Sequence, residues 1–253
     1  MFRFILFLSI VIVSVVVKAQ QKQQFLEVDY QLEMVLDADE IIANIPADWR
    51  AQVEEPLRQE IQKGIFVDYK LFTNGTESTY KLQEKLNNDQ SPAGIILQQI
   101  TATDKEPLYK NIIEKYYLKP YDFGRAYLVK DSLTDFKWKI TKEKVNIAGF
   151  DAMKATGYLN DSIQVTAWYT PKINIKDGPD RFWGLPGFIL KAEFEMMNMG
   201  FIITANNVAV LEKEIVIEKP NKGKELSEKE FNEEMKILQE QMKEMYGGGV
   251  DTE

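Results

Sequence analysis

Apolar and polar residues alternate strictly at the first polar stretch of the chain. Leu26, Val28, Tyr30, Leu32 and Met34 share one side, while Glu27, Asp29, Gln31 and Glu33 take the other. A period of two predicts a half-buried strand. Ile65 to Phe72 predicts a second strand, and Thr73-Asn74-Gly75-Thr76 a hairpin turn, since Asn-Gly tolerates positive φ. Glu77 to Leu86 is its partner, with Ser78, Tyr80, Leu82, Glu84 and Leu86 on one face. Between these, Asp37, Asp39 and Glu40 suggest a loop, and Pro56 opens a short helix running to about Lys63 that Gly64 stops.

Further strands are expected near 108–118, 124–131, 136–140, 151–159 and 163–170. In the last of these, Ile163, Val165, Ala167 and Tyr169 lie on one side. Phe188, Leu190, Ala192, Phe194 and Met196 alternate again, and 201–216 supplies the final strand or strands. Asn87 to Gly94 reads as a loop. The expected fold is therefore mainly β: a curved antiparallel sheet or half-open barrel with a short helix and a C-terminal amphipathic helix.

That last helix has its own signature. Ser227 and Glu230 form a capping box, each side chain satisfying a free backbone N–H at the helix start. Phe231, Met235, Leu238, Met242 and Met245 then recur at spacings of four and three and make one apolar stripe. An isolated helix of about 20 residues is marginal in water, so the stripe has to dock, on its own sheet or on a partner. The expected organisation is a signal peptide over 1–19, a β domain over 20–217, a linker over 218–226, the helix over 227–246 and a tail over 247–253.

The leader rests on Arg3, an apolar run from Phe4 to Val17, and a Val17-Lys18-Ala19 cleavage pattern with Gln20 as the mature start. Export into the periplasm is expected, with outer-membrane association as the finer reading. The chain has no cysteine, so neither a lipid-anchoring thiol nor a disulfide is available. Removing Arg3 and Lys18 leaves 29 basic residues against 39 acidic, a net charge of −10. No basic block accompanies it, which argues against nucleic acid as a partner. The chain also has no histidine. His-based triads, thiolate nucleophiles and His- or Cys-ligated metals are thereby excluded. No phosphate loop or calcium loop occurs, so neither a cofactor nor a metal is expected.

The densest run of aromatics and backbone punctuators is Ala167-Trp168-Tyr169-Thr170-Pro171, then Asp177-Gly178-Pro179, then Phe182-Trp183-Gly184-Leu185-Pro186-Gly187-Phe188-Ile189-Leu190. Together with Val28-Asp29-Tyr30, Tyr127 to Ser132, Trp138-Lys139-Ile140, Ile147 to Phe150 and Lys154-Ala155-Thr156, in this order, it resembles the GLPGLI family, a Porphyromonas-type family of unknown function found mainly in Bacteroidota. Phe188 stands where the name-giving motif has Leu, Ala152 where relatives often carry Cys, and Asn174 where Pro is common. The resemblance implies an exported protein with no established activity.

Gly-Leu-Pro-Gly reads either as a stiff core corner or as a rigid aromatic rim that grips a ligand. On the second reading the candidate binding residues are Trp168, Tyr169, Phe182, Trp183, Leu185 and Pro186, joined by Phe231, Met235, Leu238 and Met242 of the helix stripe. No catalytic residue is assigned, because no nucleophile–base pair accompanies the motif. The expected function is a non-catalytic cell-envelope module holding a partner protein, a peptide or an apolar ligand. One alternative is a carrier of lipid or lipid-linked cargo in a half-open barrel, with a continuous apolar cavity lined by Val28, Tyr30, Leu190 and Phe194. A carboxylate-based hydrolase is the remaining rival and needs two acids converging in a cleft.

Overall fold

The first alternating stretch becomes β1 (Phe25–Val35), with Leu26, Val28 and Tyr30 fully buried. The computed structural model describes residues 24–83 and 104–247, with Gly94, Gln98, Thr101 and Ala102 between them. The leader expected over 1–19, most of the 87–94 loop and the tail beyond Gly247 lie outside the described residues.

After β1 come α1 (Ala38–Ala43) and α2 (Ala47–Lys63). Then follow β2 (Ile65–Thr73), β3 (Glu77–Leu82), β4 (Leu108–Asn111), β5 (Tyr116–Asp122) and β6 (Ala126–Ser132). The chain continues through β7 (Lys139–Ile147), β8 (Phe150–Leu159), β9 (Ile163–Thr170), β10 (Phe188–Met196) and β11 (Met199–Leu211). It ends in β12 (Lys224–Leu226) and α3 (Glu228–Gly247). The twelve strands of the described residues form one open sheet in the order β12-β6-β5-β4-β3-β2-β1-β11-β10-β9-β8-β7. Every pairing is antiparallel except β12 beside β6, which is parallel.

Twelve flat strands spaced about 4.8 Å apart would span some 50 Å. Instead one core joins Tyr127 and Val129 of β6 to Ala152 and Ala155 of β8, strands near opposite ends of the order. The sheet therefore curls around its contents, which gives the half-open barrel its inside. Much of that inside is filled by chain: the 171–187 connection between β9 and β10 buries Ile173, Ile175, Phe182 and Leu185.

The structure revises five local expectations. Asp37 caps α1 by accepting from the amides of Asp39 and Glu40, so the acidic cluster starts a helix rather than a loop. Pro56 lies inside α2 rather than opening it, while Gly64 does end it at φ 79°. The 108–118 stretch is two strands, because Lys115 takes φ 58° in a turn over Ile112–Lys115. The polar 218–226 stretch contains β12, and the strand expected to reach 216 stops at Leu211.

Candidate functional site

The Gly-Leu-Pro-Gly corner is determined by close backbone approach. Gly184 takes φ 91° and Gly187 φ 154°. A Cβ on Gly187 would stand 2.3 Å from the carbonyl oxygen of Thr170, so no larger residue fits between β9 and the start of β10. Leu185 is fully buried and Pro186 is exposed between the glycines. The Trp183 indole donates to the Thr134 carbonyl at 2.7 Å, and the Trp138 indole donates to the Trp183 carbonyl at 2.8 Å. Both ring N–H groups are thus spent on holding the corner. Phe182 packs on Phe136 at 5.4 Å and on Phe194 at 5.5 Å.

The Asp177-Gly178-Pro179 block anchors the same connection from the other side. Lys110 of β4 and Asp177 are both fully buried and meet at 2.6 Å. Lys110 also donates to the Gly178 carbonyl at 2.6 Å. The Tyr30 hydroxyl donates to the Ile189 carbonyl at 2.5 Å. The connection is therefore clamped across the concave face and plugs one part of it.

What stays open is a cavity of about 300 Å³ between the sheet and the start of α3. Leu32 of β1, Tyr69 of β2, Tyr80 of β3, Leu108 of β4 and Tyr117, Lys119 and Tyr121 of β5 line it. Val129, Phe194, Phe201 and Ile203 continue the wall, Asp104, Asp180 and Arg181 come from connections, and Glu228, Phe231 and Asn232 close it from α3. Tyr69 and Tyr80 stack at 4.6 Å, as do Tyr121 and Phe231. Asp104 accepts from the Tyr69 hydroxyl at 2.7 Å and from Lys119, which also donates to the Glu106 carbonyl at 2.6 Å. Arg181 donates to Glu228 at 2.8 Å, and Glu228 accepts from the Tyr117 hydroxyl at 2.9 Å. The exception is Tyr80: it is 6% exposed, and its buried hydroxyl has no hydrogen-bond partner among the described residues.

Burial, the first cause in each case, pushes the Tyr69, Tyr80 and Tyr117 phenols well above their ordinary range. The charges of Asp104 and Asp180 add to this at Tyr69 and Tyr80. Tyr121 is pushed up to about 12, again mainly by burial. These phenols stay protonated at neutral pH and serve as hydrogen-bonding groups, not as bases.

The sequence-derived candidates separate into three places. Phe182 and Leu185 are core, and Phe182 backs the cavity through Phe194. Tyr169 is buried and lies within 3.9 Å of the Met153 sulfur. Trp183 is half-buried at the corner and Pro186 is exposed. Trp168 lies on the opposite, convex face, paired across the strands with Lys154 and Lys191, whose ammonium sits 5.0 Å from its ring. Of the helix stripe, Phe231 is buried against Tyr121 and Tyr127 and lines the cavity. Met235 and Leu238 are half-buried, and Met242 is 49% exposed. The helix thus docks on its own sheet through its first turns. Its capping box forms as expected: the Ser227 amide donates to Glu230 at 2.8 Å, and the Glu230 amide to the Ser227 hydroxyl at 3.3 Å.

Tyr69, Tyr117, Tyr121 and Arg181 carry no site motif in the sequence; Tyr80 reads there only as a face position of its strand, and Asp180 as a turn acid whose usual job is capping or solvation, not acid–base chemistry. The available signal was tyrosine at inward positions of alternating strands, where a buried hydroxyl needs a partner.

A family model described as a protein of unknown function (Porph_ging) matches residues 157–191, from the end of β8 through the plugging connection into β10. This agrees with the Porphyromonas-type resemblance over that short segment; the GLPGLI name stays a resemblance. No curated protein matches the sequence. Among solved structures, PNGF-II, in C2 and P21 crystal forms, aligns with a TM-score of 0.52 and 15% identity over 83% of this chain and 32% of PNGF-II. The chain spans about a third of that protein's length, and the likeness shows the fold alone. An uncharacterized conserved protein from Thermus thermophilus aligns with a TM-score of 0.38 and 7% identity, over 81% of this chain and 91% of that one. A putative outer membrane lipoprotein-sorting protein domain from Vibrio parahaemolyticus aligns at 0.25 and 6%, over 83% and 90%. Neither of these lower scores carries an argument. No helix among the described residues is long and apolar enough to cross a membrane.

Proposed function

We propose that the protein is a non-catalytic binding module of the cell envelope, and that its site is the tyrosine-lined cavity beneath α3. The carrying observation is the Tyr80 hydroxyl, buried and unpartnered on the cavity wall. An orphaned buried hydroxyl costs roughly 1–3 kcal/mol, a cost that a ligand atom or an ordered water removes. The cavity stands at the lower end of the range of about 300–1,000 Å³ for small-molecule sites. Its walls join ring faces to a few polar tips, which suits a compact ligand or one side chain of a partner better than a lipid tail. Three of the residues expected to line a lipid cavity, Val28, Tyr30 and Leu190, are fully buried, and only Phe194 reaches the open space. Binding fits the chemistry better than turnover does. The phenols are held protonated, and Lys119 and Arg181 are engaged by Asp104 and Glu228. Export to the periplasm belongs to the same reading and rests on the leader-like residues 1–19.

A fragment screen followed by amide NMR shifts tests the site. Hits should perturb residues around Tyr80 and Tyr117. They should be lost in Leu32→Trp, which fills the cavity from a half-buried position. Hits that persist in that variant, or map to the convex face at Trp168, contradict the proposal.

A further inference from the structure

Among the described residues, the cavity wall carries more acid than base: Asp104, Asp180 and Glu228 against Lys119 and Arg181. Lys119 is held by Asp104 and Arg181 by Glu228. Arg181 is shared: Asp180 is the largest of the charges acting on its guanidinium and Glu228 meets it at 2.8 Å, so three carboxylates share two cations and one negative charge on the wall is left over. Asp180 makes no hydrogen bond or ion pair among the described residues. It sits in left-handed backbone at φ 45°, in the turn that the Phe182 amide closes on the Pro179 carbonyl at 3.0 Å. A half-buried carboxylate that shares its one cation with Glu228 leaves room for a further positive charge.

The neutral part of the wall fits the same ligand. The Tyr69–Tyr80 and Tyr121–Phe231 pairs make this part of the wall aromatic, and the Lys119 ammonium already lies 5.9 Å from the Tyr121 ring, the kind of cation–ring contact a second ammonium would make. The unpartnered Tyr80 hydroxyl accepts a hydrogen bond from an N–H donor. The acid charges are felt at this inner end, since they hold the Tyr69 and Tyr80 phenols protonated beyond what burial does. An anion would meet this surplus with both cations of the described wall already engaged. A neutral ligand would leave that carboxylate uncompensated as the cavity dries.

We infer that the cavity takes an alkylammonium group, with its charge at Asp180, an N–H on the Tyr80 hydroxyl and its apolar stem against Tyr121 and Phe231. This rests on the cavity being the binding site. The ammonium belongs either to a free amine or to a lysine side chain of a partner.

The test is an amide NMR titration of the mature chain with three probes: n-butylammonium, a lysine residue blocked at both backbone ends, and n-pentanol as a neutral mimic. Both amines should shift resonances around Tyr69 and Tyr80. Asp180→Asn, which keeps a residue tolerant of positive φ, should weaken them about tenfold or more, the size of a lost charged hydrogen bond. Tighter binding of the blocked lysine than of butylammonium identifies a partner's side chain; equal binding identifies a free amine. If n-pentanol binds as well as the amines, or Asp180→Asn changes nothing, the charge inference is wrong and the cavity remains a site. If no probe reaches the cavity, the binding-site reading falls with it.

Discussion

Lys110 is the most consequential single charge in the interior, and removing it should do disproportionate harm. Its ammonium lies 2.6 Å from Asp177 and 2.6 Å from the Gly178 carbonyl, and both side chains of the ion pair have zero exposure. Lys110→Met keeps most of the stem volume but strands the Asp177 carboxylate in a dry interior and orphans a carbonyl. Breaking a buried pair from one side costs about 3–5 kcal/mol. Against a total stability of about 5–15 kcal/mol, that is about a fifth of the fold's stability at the least. Urea unfolding followed by tryptophan fluorescence measures it, because Trp183 and Trp138 report directly on the clamped connection. Removing both charges in Lys110→Met/Asp177→Leu should recover most of the loss, since a well-packed apolar pair of similar volume is often as stable as the ions. The cycle of single and double variants should therefore show a coupling of about 3 kcal/mol or more. A Lys110→Met protein as stable as the parent, or a double variant no better than either single, refutes the argument.

Three further outcomes follow from other parts of the fold. Gly187→Ala places a methyl 2.3 Å from the Thr170 carbonyl oxygen and should cost on the order of 3 kcal/mol in the same urea assay, whereas Pro186→Ala, at an exposed position, should cost little. Phe231→Ala removes the ring stacked on Tyr121 and should release α3 rather than unfold the sheet; limited proteolysis should then cut near Ser227, with part of the helical circular dichroism lost. Tyr69, Tyr80, Tyr117 and Tyr121 have folded-state values raised above the ordinary 10.0, so their contribution is fully present below pH 10 and is lost as pH rises through the raised values. Stability should fall above pH 10, and phenolate absorbance should lag behind that of the unfolded chain, with Tyr121 ionising near 12.

Local pattern carried most of the sheet. The run 163–170 alternates cleanly and is β9 over the same residues, because a strand with one buried face needs nothing but its own periodicity. The same alternation places Trp168 opposite Val165, Ala167 and Tyr169, on the convex face and away from Phe182. Its aromatic character drew it into the candidate set; its parity puts it outside the cavity. β12 has three residues and no pattern of its own, and it is a strand only because β6 lies beside it. Proline usually starts or ends a helix, which makes the expected helix begin at Pro56, yet α2 starts at Ala47 and accommodates Pro56 within it. The helix stripe and its capping box were legible, and Phe231 does meet the cavity. The tyrosines were not, since Tyr69, Tyr80, Tyr117 and Tyr121 come from three strands and converge only when the sheet curls. Lys110 and Asp177 each look like an ordinary surface charge in sequence, and only the plugging connection brings them together.

The most direct test of the central claim is a crystal structure of the mature chain soaked with a library of small amines and neutral fragments. Difference density should collect in the cavity beneath α3, touching the Tyr80 hydroxyl and the ring of Phe231. Fragments scattered over the convex face at Trp168, with nothing bound against Tyr80 across the library, would contradict it.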